Sequence, residues 1–324
     1  MYLNFFQVKD LPFRLTPDPR YLHLSEPHQF ALTAVLEGIF YRKGLVMITG
    51  GIGTGKTTLV HTALQLFSDR KMPVKSALLF NPVLTRDEFL EMALDEFEVK
   101  CASTSKPRRL AALHQMLLET QRRGGTAVLF IDEAHLLSEE LLEEIRLLGN
   151  ADMQSEKLLQ IVISGQPELL ELMDKPTLSA LKQRIAARAH LRPLTELETR
   201  VYIAERLESA GLDGPSPFSP SAIESVHFHS DGVPRLINLI CEGSLSLGFR
   251  MHRRVIEPDT VREVAVSLGL IQAVPVLVRT ATAVPFESAP HIAEAQTSAV
   301  DRLIESMKRN RATARGVERN EQVF

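Results

Sequence analysis

One stretch of the sequence decides the fold: Gly50-Gly51-Ile52-Gly53-Thr54-Gly55-Lys56-Thr57. Five apolar or β-prone residues, 45–49, precede it, and a segment with helical apolar periodicity follows it from Leu59 to Phe67. Glycines let backbone N–H groups close around phosphates, and the first turn of the following helix adds unpaired donors and a partial positive charge. The order of strand, glycine-rich loop and helix therefore predicts a loop that binds a nucleoside triphosphate, and not a simple glycine turn.

Two residues of this loop have specific predicted roles. Lys56 is expected to reach the β- and γ-phosphates, and the hydroxyl group of Thr57 is expected to bind Mg²⁺.

The composition is that of a globular protein. The 324 residues are 44% hydrophobic and 24% charged, and 37 basic against 40 acidic residues give a net charge of −3, so no global basic field recruits nucleic acid. Cys101 and Cys241 show no C-x-x-C spacing, which is typical of core thiols in a reducing compartment. No signal peptide and no apolar run of about 20 residues is present, so we predict a cytoplasmic location, with peripheral association with the inner membrane left open.

The chain divides into four predicted regions. Residues 44–194 alternate apolar strands with helices, which indicates an α/β domain whose parallel sheet is covered by helices on both faces. Within this domain the polar, proline-containing stretch 103–109 is predicted to be a loop. Residues 195–270 form a predicted lid of four helices, several of which begin with proline or with Ser or Thr. Residues 1–43 are a proline- and aromatic-rich segment expected to pack on the nucleotide domain, and residues 271–324 are a linker and tail predicted to be disordered.

An acidic pair follows the apolar strand 127–131. Asp132 is expected to anchor Mg²⁺ through water, and Glu133 to accept a proton from the attacking water. Acidic pairs also occur as helix caps, but the upstream phosphate loop favours the catalytic role. The pair therefore predicts hydrolysis as well as binding.

Further polar residues lie where they can assist catalysis. Gln166 or Ser164, at the end of the next strand, is a candidate for orienting the lytic water. Arg184 and Arg188 precede the last predicted strand, 189–194, and are candidates for an arginine finger supplied to a neighbouring subunit, with a solvated helix face as the alternative. Arg235 opens a lid helix and is a candidate for sensing the nucleotide.

At these residues the sequence resembles an AAA+ ATPase of the ExeA/GspA-like (general secretion pathway protein A-like) branch. The similarity covers about residues 1–270, and its more distinctive segments lie outside the phosphate loop. They are 1–6, 12–13, 15–20, His28, 142–148, 165–169 and 183–185.

The resemblance implies a fold and a set of site residues. It assigns Gly50–Thr58 to Walker A, with ATP and Mg²⁺ as ligands, and Asp132-Glu133 to Walker B. Gln166 falls near sensor 1, Arg235 matches the sensor 2 arginine, and Arg184 or Arg188 is the finger. The implied fold is a parallel sheet of order 5-1-4-3-2 with a helical lid, in subunits that often assemble into rings.

Three functions are compatible with this resemblance. The first is an ATP-hydrolysing switch or remodeller for a cell-envelope secretion or exopolysaccharide export system, in a stand-alone form without a membrane span or peptidoglycan-binding domain. The second is an ATP-dependent DNA-binding adaptor of a transposition or replication system, suggested by the arginine-rich tail from Lys308 to Arg319. The third, a scaffold without hydrolysis, is disfavoured by the intact Lys56, Thr57, Asp132 and Glu133.

Overall fold

The computed structural model describes residues 2–16, 25–80, 83–150, 152–153 and 156–271. The predicted tail lies outside the described residues apart from its first position, as does most of the segment 15–20. The chain forms two compact units. One contains residues 26–52 and 59–191, and the other contains the chain up to Ser25, Gly53–Thr58 and the described residues from Arg192 onward.

The first unit is built on a five-stranded sheet. Its strands are β1 (Leu45–Gly50), β2 (Val74–Leu79), β3 (Thr126–Ile131), β4 (Leu159–Gly165) and β5 (Ile185–Leu191). All neighbouring strands are parallel, in the order β2-β3-β4-β1-β5. Every residue of β1, β3 and β4 is buried, as expected for a sheet covered on both faces. The α/β fold class and the implied strand order 5-1-4-3-2 are confirmed.

Helices connect these strands. They are α1 (Glu26–Phe40), α2 (Lys56–Asp69), α3 (Arg86–Glu96), α4 (Lys106–Arg122), α5 (Glu139–Leu148) and α6 (Glu168–Met173). Shorter helical turns span Ala134–Leu136, Pro176–Leu178 and Ser179–Lys182. Two-residue strands, Asp152–Met153 and Glu156–Lys157, pair antiparallel before β4.

Two boundaries differ from those predicted. The polar stretch 103–109 was expected to be a loop, but α4 begins at Lys106 because Pro107 is tolerated in a first helical turn, where its missing N–H has no partner to lose. The last strand was expected at 189–194, but β5 begins at Ile185. β5 is an edge strand whose residues alternate in exposure, so its charged residues interrupt the apolar pattern by which the other strands were predicted. Arg188 therefore lies within the strand and not before it.

The second unit contains the four helices predicted for the lid. They are α7 (Glu196–Ser209), α8 (Pro220–Ser230), α9 (Pro234–Arg250) and α10 (Pro258–Ser267). Thr195 and Glu198 form a capping box at the start of α7, and the hydroxyl of Ser219 caps α8.

The N-terminal aromatic residues were expected to pack on the nucleotide domain. They lie in the hydrophobic cluster of the helical unit, where Phe6 and Phe13 are buried together with Ile203 and Leu245. A helical turn, Leu3–Phe6, carries the first of them. The ring of Phe13 meets that of Phe218 edge to face, with centroids 6.1 Å apart.

A buried arginine fastens this N-terminal segment to α7. Arg206 is 7% exposed, and its guanidinium donates to the carbonyl oxygens of Pro12 at 2.6 Å and Arg14 at 3.3 Å, and to the hydroxyl of Tyr202 at 2.7 Å. A buried guanidinium requires such partners, because an unsatisfied buried charge is costly. Residues 2–14 are therefore an integral part of the helical unit, whereas residues 26–43 of the same predicted segment belong to the sheet unit.

Candidate functional site

The phosphate loop has the backbone that its glycines predict. β1 ends at Gly50, Gly53 and Gly55 have φ values of +78° and +99°, and α2 begins at Lys56. Such positive φ values are readily adopted by glycine alone. The first turn of α2 contains no acidic residue, so the positive end of its dipole is left to an anionic ligand.

The side chains of the loop differ in exposure. Thr54 is 1% exposed and Lys56 is 6% exposed, while Thr57 and Thr58 are partly buried. Ile52 is 69% exposed. The polar groups of the loop are thus held within the protein, and its one branched apolar side chain is not.

The predicted lid arginine lies against the phosphate loop. The backbone N–H of Arg235, at the start of α9, donates to the carbonyl oxygen of Gly53 at 3.2 Å. A Cβ atom at Gly53 would lie 2.8 Å from the Cβ of Arg235 and 3.1 Å from the Cγ1 of Val233. Only a glycine allows this close approach, and the side chain of Arg235 itself remains exposed.

Asp132 is fixed at the carboxyl end of β3. It is 2% exposed, and its Oδ1 accepts hydrogen bonds from Ser164 Oγ at 2.5 Å and from the backbone N–H of Glu133 at 3.0 Å. The contact with Ser164 follows from strand register, because Ile131 pairs with Ile163 and the next residue of each strand is thereby adjacent. Ser164 was one of two candidates for orienting water, and the structure joins it to Asp132.

Glu133 has an unusual backbone conformation. Its φ is +52°, in the left-handed region that few side-chain-bearing residues adopt, and it immediately precedes the helical turn Ala134–Leu136. Its side chain is 40% exposed, and Oε2 lies 3.5 Å from the Nδ1 of His135. Strained backbone of this kind is concentrated at functional sites.

Gln166, the other candidate for orienting water, follows β4 and contacts His135 twice. Its backbone N lies 3.4 Å from Nδ1 of the ring, and its side-chain amide lies 2.9 Å from Nε2. Sequence reasoning did not assign a role to His135. The position of His135, three residues after Asp132, was the one indication in the sequence that it lies at the site. Its contact with Gln166 became evident only from the position of β4.

The two finger candidates are exposed on the sheet unit. Arg184 donates from Nη1 to the carbonyl oxygen of Arg146 at 3.1 Å, and Arg188 donates from Nη2 to the carbonyl oxygen of Lys182 at 3.4 Å. Both contacts are to neutral carbonyl oxygens. Both arginines are compatible with contact to a second subunit.

The donor set fits Mg²⁺ better than a tightly chelated metal. Within the described residues, no group of three or more His, Cys, Asp or Glu side chains could hold a metal ion. Mg²⁺ keeps several waters and is usually bound by one or two carboxylates together with phosphates of the substrate. One buried carboxylate, Asp132, matches the carboxylate part of that requirement.

Two further features bear on the predicted environment. Cys101 and Cys241 are both free, and burial raises the pKa of the Cys241 thiol well above its usual range, so it is a core residue. Among the described helices, none has the length and apolar character needed to cross a membrane.

The sheet order, the glycine-rich loop after β1 and the buried aspartate after β3 define a P-loop nucleoside triphosphatase fold. Residues 39–173 match the family model for an AAA domain. Over 263 residues the chain is 38% identical to General secretion pathway protein A of Aeromonas hydrophila, which covers 80% of this chain. The resemblance inferred from the motifs is thereby confirmed. The chain spans 47% of the length of that relative.

More distant similarities are also found. The chain is 27% identical over 161 residues to an uncharacterized HTH-type transcriptional regulator, MJ0774, of Methanocaldococcus jannaschii, covering 49% of this chain and 39% of that protein. Among solved structures, it is similar to Cdc6p of Pyrobaculum aerophilum (TM-score 0.63, 19% identity, 82% of this chain and 72% of the other). It is also similar to ORC2 of Aeropyrum pernix (TM-score 0.60, 18% identity, 80% and 72%). At such low sequence identity, the similarity to these two structures shows a shared fold alone.

Proposed function

We propose that this protein binds and hydrolyses ATP with Mg²⁺, as a switch or remodeller for a cell-envelope secretion or exopolysaccharide export system. The observation that carries the proposal is the pair of residues after β3. Asp132 is buried and hydrogen-bonded, while its neighbour Glu133 is strained and partly exposed. One carboxylate is thus suited to a fixed electrostatic role and the other to accepting a proton.

Binding of the nucleotide is assigned to the loop Gly50–Thr58. Backbone N–H groups of the loop and of the first turn of α2 surround the phosphates, and Lys56 contacts the β- and γ-phosphates as a point charge. Thr57 and Asp132 would hold Mg²⁺, Thr57 through its hydroxyl group and Asp132 through water. Mg²⁺ would neutralise the charge that develops on the phosphate oxygens during transfer.

Hydrolysis is assigned to Glu133 as general base, with Gln166 orienting the attacking water. General base catalysis contributes about 10²- to 10⁴-fold to a rate, so loss of this carboxylate should be severe. Arg235 is proposed to report the nucleotide state from α9, where its backbone already contacts Gly53.

A neighbouring subunit is proposed to complete the site. An arginine finger stabilises charge in the transition state and can be supplied in trans, with effects of 10³-fold or more. Arg184 and Arg188 are exposed on the sheet unit, as this role requires. The proposed active form is therefore a homo-oligomer, and a ring is one such assembly.

The cell-envelope client is proposed from the 38% identity to General secretion pathway protein A. The test is ATP turnover by the full chain over a range of protein concentrations, with phosphate release measured in the presence and absence of Mg²⁺. Turnover per subunit should rise with concentration and require Mg²⁺. Lack of Mg²⁺-dependent phosphate release at every concentration would contradict the proposal.

The second candidate is an ATP-dependent DNA-binding adaptor. It is favoured by the similarity to a protein named as an HTH-type transcriptional regulator and by the arginine-rich tail, which lies outside the described residues. It predicts ATP-dependent retention on duplex DNA that weakens steeply with salt, together with stimulation of turnover by DNA. Turnover indifferent to DNA, without retention at low salt, would favour the cell-envelope client.

A further inference from the structure

The amino-terminal edge of the sheet carries three pairs of basic residues. Because the strands are parallel, each helix that directly precedes a strand ends at this edge. The helix α1 precedes β1, α2 precedes β2 and α4 precedes β3. The basic pairs at or just after their ends are Arg42-Lys43, Arg70-Lys71 and Arg122-Arg123. The net charge of −3 for the whole chain therefore conceals a local concentration of positive charge.

Contacts between the turns hold these segments together. The Nη2 of Arg42 donates to the carbonyl oxygen of Gly125 at 3.0 Å. The backbone N–H of Thr126 donates to the carbonyl oxygen of Pro73 at 2.8 Å, and a Cβ atom at Gly125 would lie 3.0 Å from that same oxygen. The ends of α1, α2 and α4 therefore form one surface. Its residues 42–43, 70–71 and 122–123 are termed the basic edge.

The charges of the basic edge lie at the surface. Five of its six basic side chains are exposed, and that of Arg42 is partly buried. Three carboxylates lie on the same helices near their ends. They are Glu37, which pairs with Lys43 at 2.9 Å, Asp69 and Glu119. Positive charge is thus in excess among the side chains of these helix ends.

Helix dipoles account for only part of this excess. The carboxyl end of a helix is equivalent to about half a negative charge, so three ends together amount to about −1.5. Six basic side chains against three carboxylates leave three positive charges, which is about twice that amount. The basic edge therefore carries more positive charge than stabilisation of the helix ends requires.

Backbone conformation supports the same conclusion. The residue that closes a helix in the left-handed region is usually glycine, as Gly124 is at the end of α4 with a φ of +76°. At the ends of α1 and α2, Arg42 and Lys71 have φ values of +51° and +48°. A residue with a side chain is less stable there by about 1 kcal/mol. The sequence thus places basic residues where glycine would favour the fold.

The basic edge faces a partner broadly and not through one projecting element. Residues of α4 pack with Met47 on one face of the sheet, whereas Gly38 of α1 lies against Val46, which faces the other side. Basic pairs therefore flank the edge of the sheet on both sides. They belong to helix ends and short turns, whereas reading duplex DNA requires a helix or a β-ribbon that enters a groove.

An aromatic side chain lies beside these charges. Tyr41 is 46% exposed, and the Nζ of Lys43 lies 5.6 Å from the centroid of its ring. Tyrosine is enriched at the boundary between membrane and water, where its ring lies at the level of the lipid headgroups. Basic residues near such a boundary are attracted to anionic lipids. The combination fits a lipid surface better than a nucleic acid.

We propose that the basic edge docks this protein on a membrane surface that contains anionic phospholipids. The inference goes beyond the proposed function, because it names a surface that ATP chemistry does not use. Asp132 and Gln166 follow the carboxyl ends of β3 and β4, at the opposite edge of the sheet. Docking through the basic edge therefore leaves these two residues uncovered.

The test is sedimentation of the full chain with lipid vesicles. One set consists of phosphatidylcholine alone, and the other of phosphatidylcholine and phosphatidylglycerol in equal parts. The protein should sediment with the anionic set only. Binding should weaken as salt is added, because the screening length falls from about 30 Å at 0.01 M to about 10 Å at 0.1 M ionic strength.

Variants at the end of α4 assign the binding to the basic edge. Arg123→Gln should weaken binding to the anionic vesicles by about fivefold, and Arg122→Gln with Arg123→Gln by about tenfold or more. Arg108→Gln, at an exposed position near the start of the same helix, is the matched control and should bind as wild type. ATP turnover without vesicles should be the same in all of these variants, which shows that they remain folded.

Three outcomes would overturn the proposal. The first is equal sedimentation with both vesicle sets. The second is undiminished binding of the double variant to anionic vesicles, which would assign the binding to the arginine-rich tail from Lys308 to Arg319. The third is retention on duplex DNA that the double variant loses, without binding to vesicles. If the wild-type chain hydrolyses no ATP, the proposed function fails, and the vesicle experiment still decides this inference.

Discussion

The backbone N–H of Arg235 donates to the carbonyl oxygen of Gly53 at 3.2 Å, so the start of α9 rests on the phosphate loop. The absence of a side chain at Gly53 permits this contact, because a Cβ atom there would lie 2.8 Å from the Cβ of Arg235. The loop that is assigned to phosphate and the helix that is assigned to sensing are therefore in direct contact.

Gly53→Ala should weaken nucleotide binding by about tenfold or more, because the new Cβ displaces either the loop or α9. Gly269→Ala is a matched control, since Gly269 has a similar φ of +71° and no atom within 4 Å of the added Cβ. In both variants an alanine in the left-handed backbone conformation destabilises the folded state by about 1 kcal/mol. Equilibrium binding of a fluorescent ATP analogue distinguishes them, and equal affinities in both variants would contradict the role of the contact.

Ser164→Ala should raise the Mg²⁺ concentration needed for half-maximal turnover by about tenfold, the lower end of typical effects for residues that support metal ligands. The substitution removes the 2.5 Å hydrogen bond to Asp132 Oδ1, while the hydrogen bond from the backbone N–H of Glu133 to the same oxygen stays in place. Ser209→Ala, at an exposed position of α7, serves as the control in the same Mg²⁺ titration. An unchanged Mg²⁺ requirement in Ser164→Ala would mean that Asp132 is adequately held without the hydroxyl.

Glu133→Gln should lower turnover by about 10²-fold or more, because an amide cannot accept the proton from water. ATP binding should be retained. Glu171→Gln, an exposed glutamate on α6, should behave as wild type. Phosphate release and nucleotide binding are measured on the same preparations. Undiminished turnover in Glu133→Gln would remove this residue from the mechanism.

A finger supplied in trans predicts complementation between two inactive variants. Arg184→Ala retains its own Glu133 but lacks the arginine, and Glu133→Gln retains the arginine but lacks the base. Mixing them should restore part of the turnover, because some sites then receive an arginine from the neighbouring subunit.

The same experiment with Arg188→Ala decides between the two arginines. The variant that complements Glu133→Gln identifies the finger. If neither arginine variant loses activity alone, the finger is not among these two residues.

Glu198 should make the helical unit more stable near neutral pH than in acid. Burial opposes its ionisation, but hydrogen bonds from Arg192 and from the backbone and hydroxyl of Thr195 outweigh that effect and lower the pKa from 4.5 to about 2. Because the folded-state pKa is the lower one, the stabilisation is complete above about pH 4.5 and is lost as the pH falls towards about 2.

Glu198→Gln should therefore lower the free energy of unfolding by about 1 to 2 kcal/mol at pH 6, after allowance for solvent screening, and the difference from wild type should shrink in acid. Chemical denaturation at several pH values between 6 and 3 measures this. Glu208→Gln, exposed on the same helix, should show no such trend. A difference that stays constant with pH would contradict the assignment to this carboxylate.

Local patterns in the sequence were sufficient for much of the fold. Apolar runs located β1 to β4, and Ser or Thr caps and early prolines located the helices of the second unit, because both signals depend on neighbouring residues only. Where the pattern was mixed, the prediction was wrong. The edge position of β5 and the first turn of α4 depend on which of their faces is covered by other elements. The local sequence of a segment does not determine this.

The candidate site shows the same division. The sequence alone determined that a glycine-rich loop joins a buried strand to a helix, because glycine conformation and hydrophobic periodicity are local properties. Only the tertiary structure decided that Ser164 holds Asp132 and that His135 lies between Glu133 and Gln166. These partners are about thirty residues apart in the chain and are brought together by the register of two adjacent parallel strands, which arises from packing of the whole sheet.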